Sequence, residues 1–145
     1  DDTYIKIPTT KEGLKAIRIL AAAGIHVTAT AIYTQMQAFL AAKSGAQYVA
    51  PYINRIDNLG SDGVRTAKEI HDMFRNYGFK TEVLAASFKN SRQVITLCEY
   101  GIGATTISPD VLDLLIKNDS VTAALNVFRR DFEKVCGKGK TMLDC

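Results

Sequence analysis

The sequence predicts an α/β fold in which short parallel strands alternate with helices. Five short runs of the 145-residue chain are apolar and rich in β-branched residues, and longer amphipathic stretches separate them. Glycines such as Gly24 and Gly78 stand where those stretches would end as helices. Strands alternating with helices in this way lie parallel and are joined by helical crossovers. Two architectures fit this pattern: an open doubly wound sheet, or part of a closed (β/α)8 barrel.

The first half of the chain is predicted to hold three strands and two helices. Leu14, Ile17 and Leu20 recur at the spacing of one helix face, and the second strand is rich in valine and threonine. The strands are predicted at 4–8, 26–31 and 48–53, and the helices at 10–23 and 33–43.

The second half is predicted to continue the alternation after a polar loop. Ser108, Pro109 and Asp110 form a helix start, with a hydroxyl cap, a proline in the first helical position and an acid in the first turn. We predict a loop at 54–63, helices at 64–77 and 91–100, strands at 81–87 and 104–107, and a terminal helix at about 120–136.

The composition excludes several classes of protein. The chain is 47% hydrophobic and 23% charged, which is enough apolar sequence for a folded core. The net charge of +3 does not favour nucleic-acid binding, and no apolar run approaches the roughly 20 residues of a membrane span. The three cysteines and two histidines have no metal-binding spacing. We therefore expect a cytoplasmic protein with no metal, no nucleic-acid partner and no membrane partner.

Polar residues stand at the carboxyl ends of all five predicted strands. In both architectures the functional site lies at that end, and no glycine-rich nucleotide-binding loop follows a strand. The strand-end residues are Lys6, Thr28, Thr30, Tyr52, Asn54, Arg55, Ser87, Lys89, Thr106 and Ser108.

Lys6 is unusual because lysine is depleted in strands. In a barrel, alternation would send Ile5 and Ile7 toward the helices and Lys6 inward, where desolvation would lower its pKa and favour a nucleophilic amine. The alternative is an edge-strand lysine that points to water and guards against strand pairing.

Four more strand-end residues suggest chemistry, each with a simpler alternative. Arg55 and Ser87 together suit a phosphate, although Arg55 could instead pair with nearby Asp57. Tyr52 could transfer a proton, or could only pack at the strand end. Thr30 could hold a water or an amine, or could only be a good strand former.

Three segments, taken together, resemble the small transaldolases and fructose-6-phosphate aldolases. Residues 5–14 (IKIPTTKEGL) are similar to the family's Schiff-base lysine strand and the helix after it. Residues 48–57 (YVAPYINRID) resemble its sixth barrel strand, and residues 83–89 (VLAASFK) its seventh. The resemblance implies a (β/α)8 TIM barrel, of which this chain supplies strands four to eight with their helices. Residues 1–145 would then be the C-terminal portion of one barrel domain.

The resemblance also implies a class I aldolase mechanism on sugar phosphates. Lys6 would form a Schiff base with the ketone, Tyr52 and Thr30 would hold a water or move protons, and Arg55 and Ser87 would bind the phosphate. The imine is the electron sink, so no metal or cofactor is required. Tyr52 in place of phenylalanine favours the aldolase, which splits fructose 6-phosphate into dihydroxyacetone and glyceraldehyde 3-phosphate. The alternative within the family is a transaldolase, which transfers the dihydroxyacetone unit between sugar phosphates.

Five strands cannot close such a barrel. By analogy with barrels of at least roughly 200 residues, we expect about 75 further residues before Asp1, or as a separate piece. The resemblance implies a homo-oligomer, for which a ring of pentamers is one arrangement, with the terminal helix against a neighbouring subunit. An alternative of another class is a catalytically idle barrel fragment that acts in assembly.

Overall fold

The computed structural model describes residues 3–144, which form two compact units, 3–114 and 115–144. The first unit contains one parallel sheet of five strands in the order β1-β2-β3-β4-β5. The strands are β1 (Ile5–Pro8), β2 (Val27–Ile32), β3 (Tyr48–Pro51), β4 (Glu82–Ala85) and β5 (Ala104–Thr105). The helices are α1 (Lys11–Ala22), α2 (Gln35–Lys43), α3 (Ile53–Asn58), α4 (Gly63–Asn76), α5 (Ser91–Tyr100), α6 (Pro109–Ile116) and α7 (Asp119–Cys136).

The prediction of an α/β fold with parallel strands is confirmed. Sequential strands are spatial neighbours throughout the sheet, as is usual when consecutive elements of a chain pack side by side. The core consists of apolar side chains from the strands and from the helices that cover them. Among the most buried of them are Val27, Val49 and Val83 of the strands and Ile17, Ile70 and Leu97 of the helices.

Local capping explains where α1 and α5 begin. The Thr10 hydroxyl accepts a hydrogen bond from the backbone N–H of Gly13 at 2.9 Å, and the Asn90 side chain accepts one from Gln93 at 3.0 Å. Both caps satisfy a backbone donor that has no partner inside its helix. A Cβ atom at Gly13 would lie 1.9 Å from the carbonyl oxygen of Pro8, so α1 approaches the end of β1 too closely for a side chain at this position.

One predicted element is wrong. The stretch 54–63, predicted as a polar loop, contains α3 (Ile53–Asn58), a helix whose N-cap residue Tyr52 makes no side-chain capping bond. Such a short helix is marginal alone. It forms here because Ile53 and Ile56 are buried and because backbone bonds to the end of β4 hold its first turn. The other predicted strands and helices are confirmed to within a few residues.

The sheet of the described chain has two edges, β1 and β5. At the β1 edge Ile5 is 42% exposed and Lys6 is also exposed. The strand carrying Lys6 therefore has only one hydrogen-bonded neighbour within residues 3–144, and the sheet they form is open.

The second unit is dominated by α7, which was predicted at about 120–136. None of its residues is buried, and Leu125 and Phe128 are 59% and 66% exposed. A short 3₁₀ helix, Met142–Asp144, follows it. The role of the terminal helix in contacts between subunits stays a prediction.

Candidate active site

A cavity of about 380 Å³ opens at the carboxyl ends of the strands. Four of the five residues singled out in the sequence, Lys6, Tyr52, Arg55 and Ser87, line it. The fifth, Thr30, is buried and contacts Tyr52. The chain therefore brings all five together, from four segments separated by up to 81 positions.

Lys6 reaches this cavity from the edge strand. It pairs in register with Thr28 of β2, and because side chains alternate along a strand, Thr28 and Thr30 lie on the same face of β2. In the described chain β1 has no neighbour on its outer side and Lys6 is exposed, so its desolvation inside a closed barrel stays a prediction. Lys6 thus combines both alternatives: it sits on an edge strand and also lines the cavity.

Tyr52 is held by three contacts around its ring. Its phenolic oxygen lies 2.8 Å from the hydroxyl oxygen of Thr30, and either group can be the donor. Tyr33 packs edge-on at 5.8 Å between ring centroids, and the guanidinium of Arg55 lies 4.6 Å above the ring. The phenol is therefore positioned by Thr30 of β2, and Tyr52 is also one of the residues that line the cavity.

Thr30 is itself fixed by the end of β1 and by a backbone irregularity in β2. Its carbonyl oxygen accepts hydrogen bonds from the backbone N–H and the hydroxyl of Thr9, at 2.8 and 3.0 Å. Directly after it, Ala31 has a φ of 56° and the pairing register with β3 shifts. A left-handed backbone at a non-glycine residue costs about 1–3 kcal/mol and concentrates at functional sites.

Arg55 and Ser87 come from segments that are bonded to each other through the backbone. The N–H groups of Ile53 and Asn54 donate to the carbonyl oxygens of Ala86 and Ser87, at 2.9 and 3.1 Å. These two bonds fix the first turn of α3, which carries Arg55, against the end of β4. Ser87, like Ala31, has a left-handed backbone, with a φ of 62°.

The alternative role for Arg55, an ion pair with Asp57, is not seen. The two carboxylate oxygens of Asp57 accept from the backbone N–H of Gly63 at 2.7 Å and from the side-chain amide of Gln93 at 2.6 Å. In residues 3–144 the ion pairs within 4.0 Å join Lys15 to Glu12, Arg65 to Glu69 and Lys134 to Asp131. The exposed guanidinium of Arg55 thus remains directed at the cavity.

Lys89, Thr106 and Ser108 complete the polar lining of the cavity. Their position at strand ends is the only signal that these three residues carry in the sequence, and it does not indicate a role for them. A hydrogen bond with Ser108 is the main reason that the pKa of Asp110 lies below its usual value, and the charge of Lys89 acts in the same direction.

The rest of the described chain adds no metal cluster to this site. Within residues 3–144 no group of three or more histidine, cysteine, aspartate and glutamate side chains is arranged to hold a metal ion. None of the helices described there is both long and apolar enough to cross a membrane.

The fold and the position of the site agree with each other. A parallel α/β unit presents an amine, a phenol–hydroxyl pair and a guanidinium at the carboxyl ends of its strands, where the sites of parallel α/β folds lie. The model of the transaldolase/fructose-6-phosphate aldolase family matches residues 1–142. The chain belongs to this family, whose fold is a TIM barrel.

Relatives with similar sequences extend over nearly the whole chain. A probable transaldolase of Hydrogenobaculum is 40% identical over 95% of this chain, and one of Thermoplasma volcanium is 42% identical over 99% of it. A probable transaldolase of Nitrosopumilus maritimus is 40% identical over 93%. The matched segment spans 64%, 64% and 61% of these relatives, so the chain corresponds to less than two thirds of their length.

Proposed function

We propose that this chain is the C-terminal portion of a (β/α)8 barrel and contributes the Schiff-base lysine and the phosphate site of a class I aldolase. The observation that carries the proposal is a single cavity lined by Lys6, Tyr52, Arg55 and Ser87, with Thr30 hydrogen bonded to the phenol. An imine mechanism needs an amine beside a proton carrier, and a sugar phosphate needs an anion site at the far end of the same cavity.

The proposed reaction begins when the neutral amine of Lys6 attacks the ketone carbon of fructose 6-phosphate. The carbinolamine loses water and becomes a protonated imine. A base removes the proton of the C4 hydroxyl, the C3–C4 bond breaks, and its electron pair moves toward the iminium nitrogen to give an enamine and glyceraldehyde 3-phosphate. Protonation of the enamine carbon and hydrolysis then release dihydroxyacetone and free Lys6.

Tyr52 and Thr30 are proposed to carry the protons of these steps. The phenolic oxygen can accept or donate a proton directly or through a water bound to it, and the Thr30 hydroxyl at 2.8 Å can reorient as the phenol changes state. The proposed role of Arg55 and Ser87 is to bind the phosphate, with a guanidinium fork and a hydroxyl. Lys89 lines the same cavity and adds a second positive charge.

The two candidate activities differ in what happens to the enamine, which is either protonated or added to a second aldose phosphate. The phenol of Tyr52 favours protonation of the enamine and thus the fructose-6-phosphate aldolase. The names of the relatives, all probable transaldolases, favour transfer of the dihydroxyacetone unit to a second aldose phosphate. Release of dihydroxyacetone from fructose 6-phosphate alone would establish the aldolase, and turnover only after addition of an aldose phosphate acceptor would establish the transaldolase.

The proposed barrel requires further strands beside β1 and β5. The open edges, the exposed Lys6 and the coverage of 64% of the first relatives support this assignment. Strands on the outer side of β1 would also shield Lys6 from water. We further propose a cytoplasmic homo-oligomer, for which a ring of pentamers remains one arrangement.

Reductive trapping tests the proposal. The intact protein is incubated with dihydroxyacetone and borohydride, and peptide mass spectrometry should find the adduct on Lys6. Lys6→Met should abolish labelling, whereas Lys15→Met, which removes an exposed amine on α1, should not. A folded intact protein with no adduct on Lys6 would instead favour the catalytically idle fragment that acts in assembly.

A further inference from the structure

The side chain of Gln93 is buried, although it lies outside the cavity that contains Lys6. Gln93 is 6% exposed and stands in the first turn of α5. Burying a primary amide costs free energy unless its N–H donors and its oxygen acceptor are hydrogen bonded. The hydrogen-bond partners of Gln93 therefore indicate the role of its side chain.

Both the oxygen and the nitrogen of this carboxamide are hydrogen bonded. Its oxygen accepts from the backbone N–H of Lys89 at 2.9 Å. Its nitrogen donates to Asp57 Oδ2 at 2.6 Å and to Asn54 Oδ1 at 3.3 Å. The orientation of the amide is fixed by these partners, because the oxygen faces a donor and the nitrogen faces two acceptors.

These bonds connect the two segments that carry the anion-binding groups. Asn54 and Asp57 flank Arg55 on α3, and Lys89 lies two positions after Ser87. The helix α3 has no side-chain N-cap and only six residues, so its position depends on bonds from outside it. Asp57 also accepts from Gly63 N, which ties the same network to the start of α4.

We propose that Gln93 is a positioning residue that sets the distance between Arg55 and the Ser87–Lys89 segment to that required by a phosphate group. The inference rests on the proposed function, since it concerns the phosphate end of the same site. Gln93 lines a different cavity, with Asp57 and Asn90, and so acts through α3 without touching the substrate.

The test compares Gln93→Met with Gln47→Met in the intact protein, with inorganic phosphate as the probe. Gln47 is a matched control because its side chain also accepts a backbone N–H bond, from Val27 at 2.6 Å, but at the amino end of the sheet. In Gln93→Met the Kd for phosphate, measured by calorimetry, should rise roughly tenfold, and in Gln47→Met it should change by less than about twofold.

Trapping of Lys6 by dihydroxyacetone and borohydride is the second measurement, because this substrate has no phosphate. The trapping rate should stay close to that of the unmodified protein in both variants. Loss of trapping in the unmodified protein would overturn the proposed function, whereas retained trapping with an unchanged phosphate Kd in Gln93→Met would overturn only the positioning role.

A second variant keeps the test decisive if Gln93→Met does not fold. Asp57→Asn preserves the shape of the side chain but offers one acceptor oxygen to the two donors of Gln93 and Gly63. It should also raise the phosphate Kd, by a smaller factor than Gln93→Met does. A folded Asp57→Asn protein with unchanged phosphate binding would contradict the inference.

Discussion

The guanidinium of Arg55 lies over the ring of Tyr52, 4.6 Å from its centroid. The proposed phosphate-binding residue and the proposed proton carrier are therefore in direct contact, three positions apart at the start of α3. A cation over an aromatic face is attracted to it, so the ring helps to hold Arg55 on the cavity side. Substitutions at the two positions should separate their contributions.

Replacing Tyr52 with phenylalanine should slow catalysis without loosening phosphate binding. Phenylalanine keeps the ring under Arg55 and beside Tyr33 but removes the phenolic oxygen 2.8 Å from Thr30. We expect kcat for cleavage of fructose 6-phosphate to fall roughly 100-fold, the lower range for loss of a proton carrier, with KM little changed. Tyr33→Phe is the matched control, since it removes a phenol from the neighbouring ring. An equal loss in both variants would argue against a proton-transfer role for Tyr52.

Replacing Arg55 with methionine should weaken binding of the phosphorylated substrate. Loss of charge-assisted hydrogen bonds of about 1.5–3 kcal/mol predicts a KM for fructose 6-phosphate raised roughly 10–100-fold. Borohydride trapping by dihydroxyacetone should persist, because that substrate has no phosphate. Arg55→Lys should recover only part of the loss, since an ammonium lacks the bidentate fork.

Arg65→Met provides the control for Arg55. Arg65 is exposed on α4 and its Nε lies 3.6 Å from Glu69, so its loss removes the same charge from a surface ion pair. The KM for fructose 6-phosphate should not change. If Arg55→Met and Arg65→Met had the same KM, the assignment of Arg55 to the phosphate would fail.

Ala31 should not tolerate a β-branched side chain. With a φ of 56° it lies in the left-handed region, where a Cβ crowds the backbone and branching adds to the strain. We expect Ala31→Val to lower the free energy of unfolding by about 1–3 kcal/mol, measured by urea denaturation. Ala22→Val, at an exposed position in α1, should cost only about 0.6 kcal/mol. Similar losses at the two positions would show that the bend after Thr30 carries no strain.

Removing the Ser108 hydroxyl should raise the pKa of Asp110. The hydrogen bond from Ser108 is the main cause of the lowered pKa of this carboxyl group. A lowered pKa in the folded state stabilises the fold above the pKa of the unfolded chain, and that contribution is lost as the pH falls through the folded value. In Ser108→Ala the Asp110 pKa, followed by carboxyl-carbon NMR, should move up toward its ordinary value. Ser120→Ala, in the other unit, should leave it unchanged.

Sequence patterns predicted the strands and nearly all the helices because each has a local cause. Buried β-branched runs, helix-spaced apolar residues and capping hydroxyls act within a few residues of one another. The helix α3 has no such local signal, since its first turn is held by carbonyl oxygens of Ala86 and Ser87 about 33 positions away. A polar sequence without a cap is therefore predicted as a loop even where tertiary bonds make it helical.

Prediction of the site has the same limit, because local sequence signals do not reveal residues that depend on tertiary contacts. Lys6, Thr30, Tyr52, Arg55 and Ser87 could be proposed because the parallel topology brings all strand ends to one edge. Gln93 could not, because a glutamine three residues after Asn90 indicates only a helix N-terminus of the capping-box type. Its bonds to Asn54 and Asp57 cross 39 and 36 positions of sequence and depend on how α3 and α5 meet.

The close approach of Gly13 in α1 to Pro8 in β1 also limits which residues position 13 can hold. The carbonyl oxygen of Pro8 occupies the place where a methyl group at position 13 would be. Any larger residue there must move either the start of α1 or the end of β1, the strand that carries Lys6 and that is followed directly by Thr9 with its bonds to Thr30. The position of Lys6 in the cavity thus depends on a glycine in α1, a helix that contributes none of the residues lining that cavity.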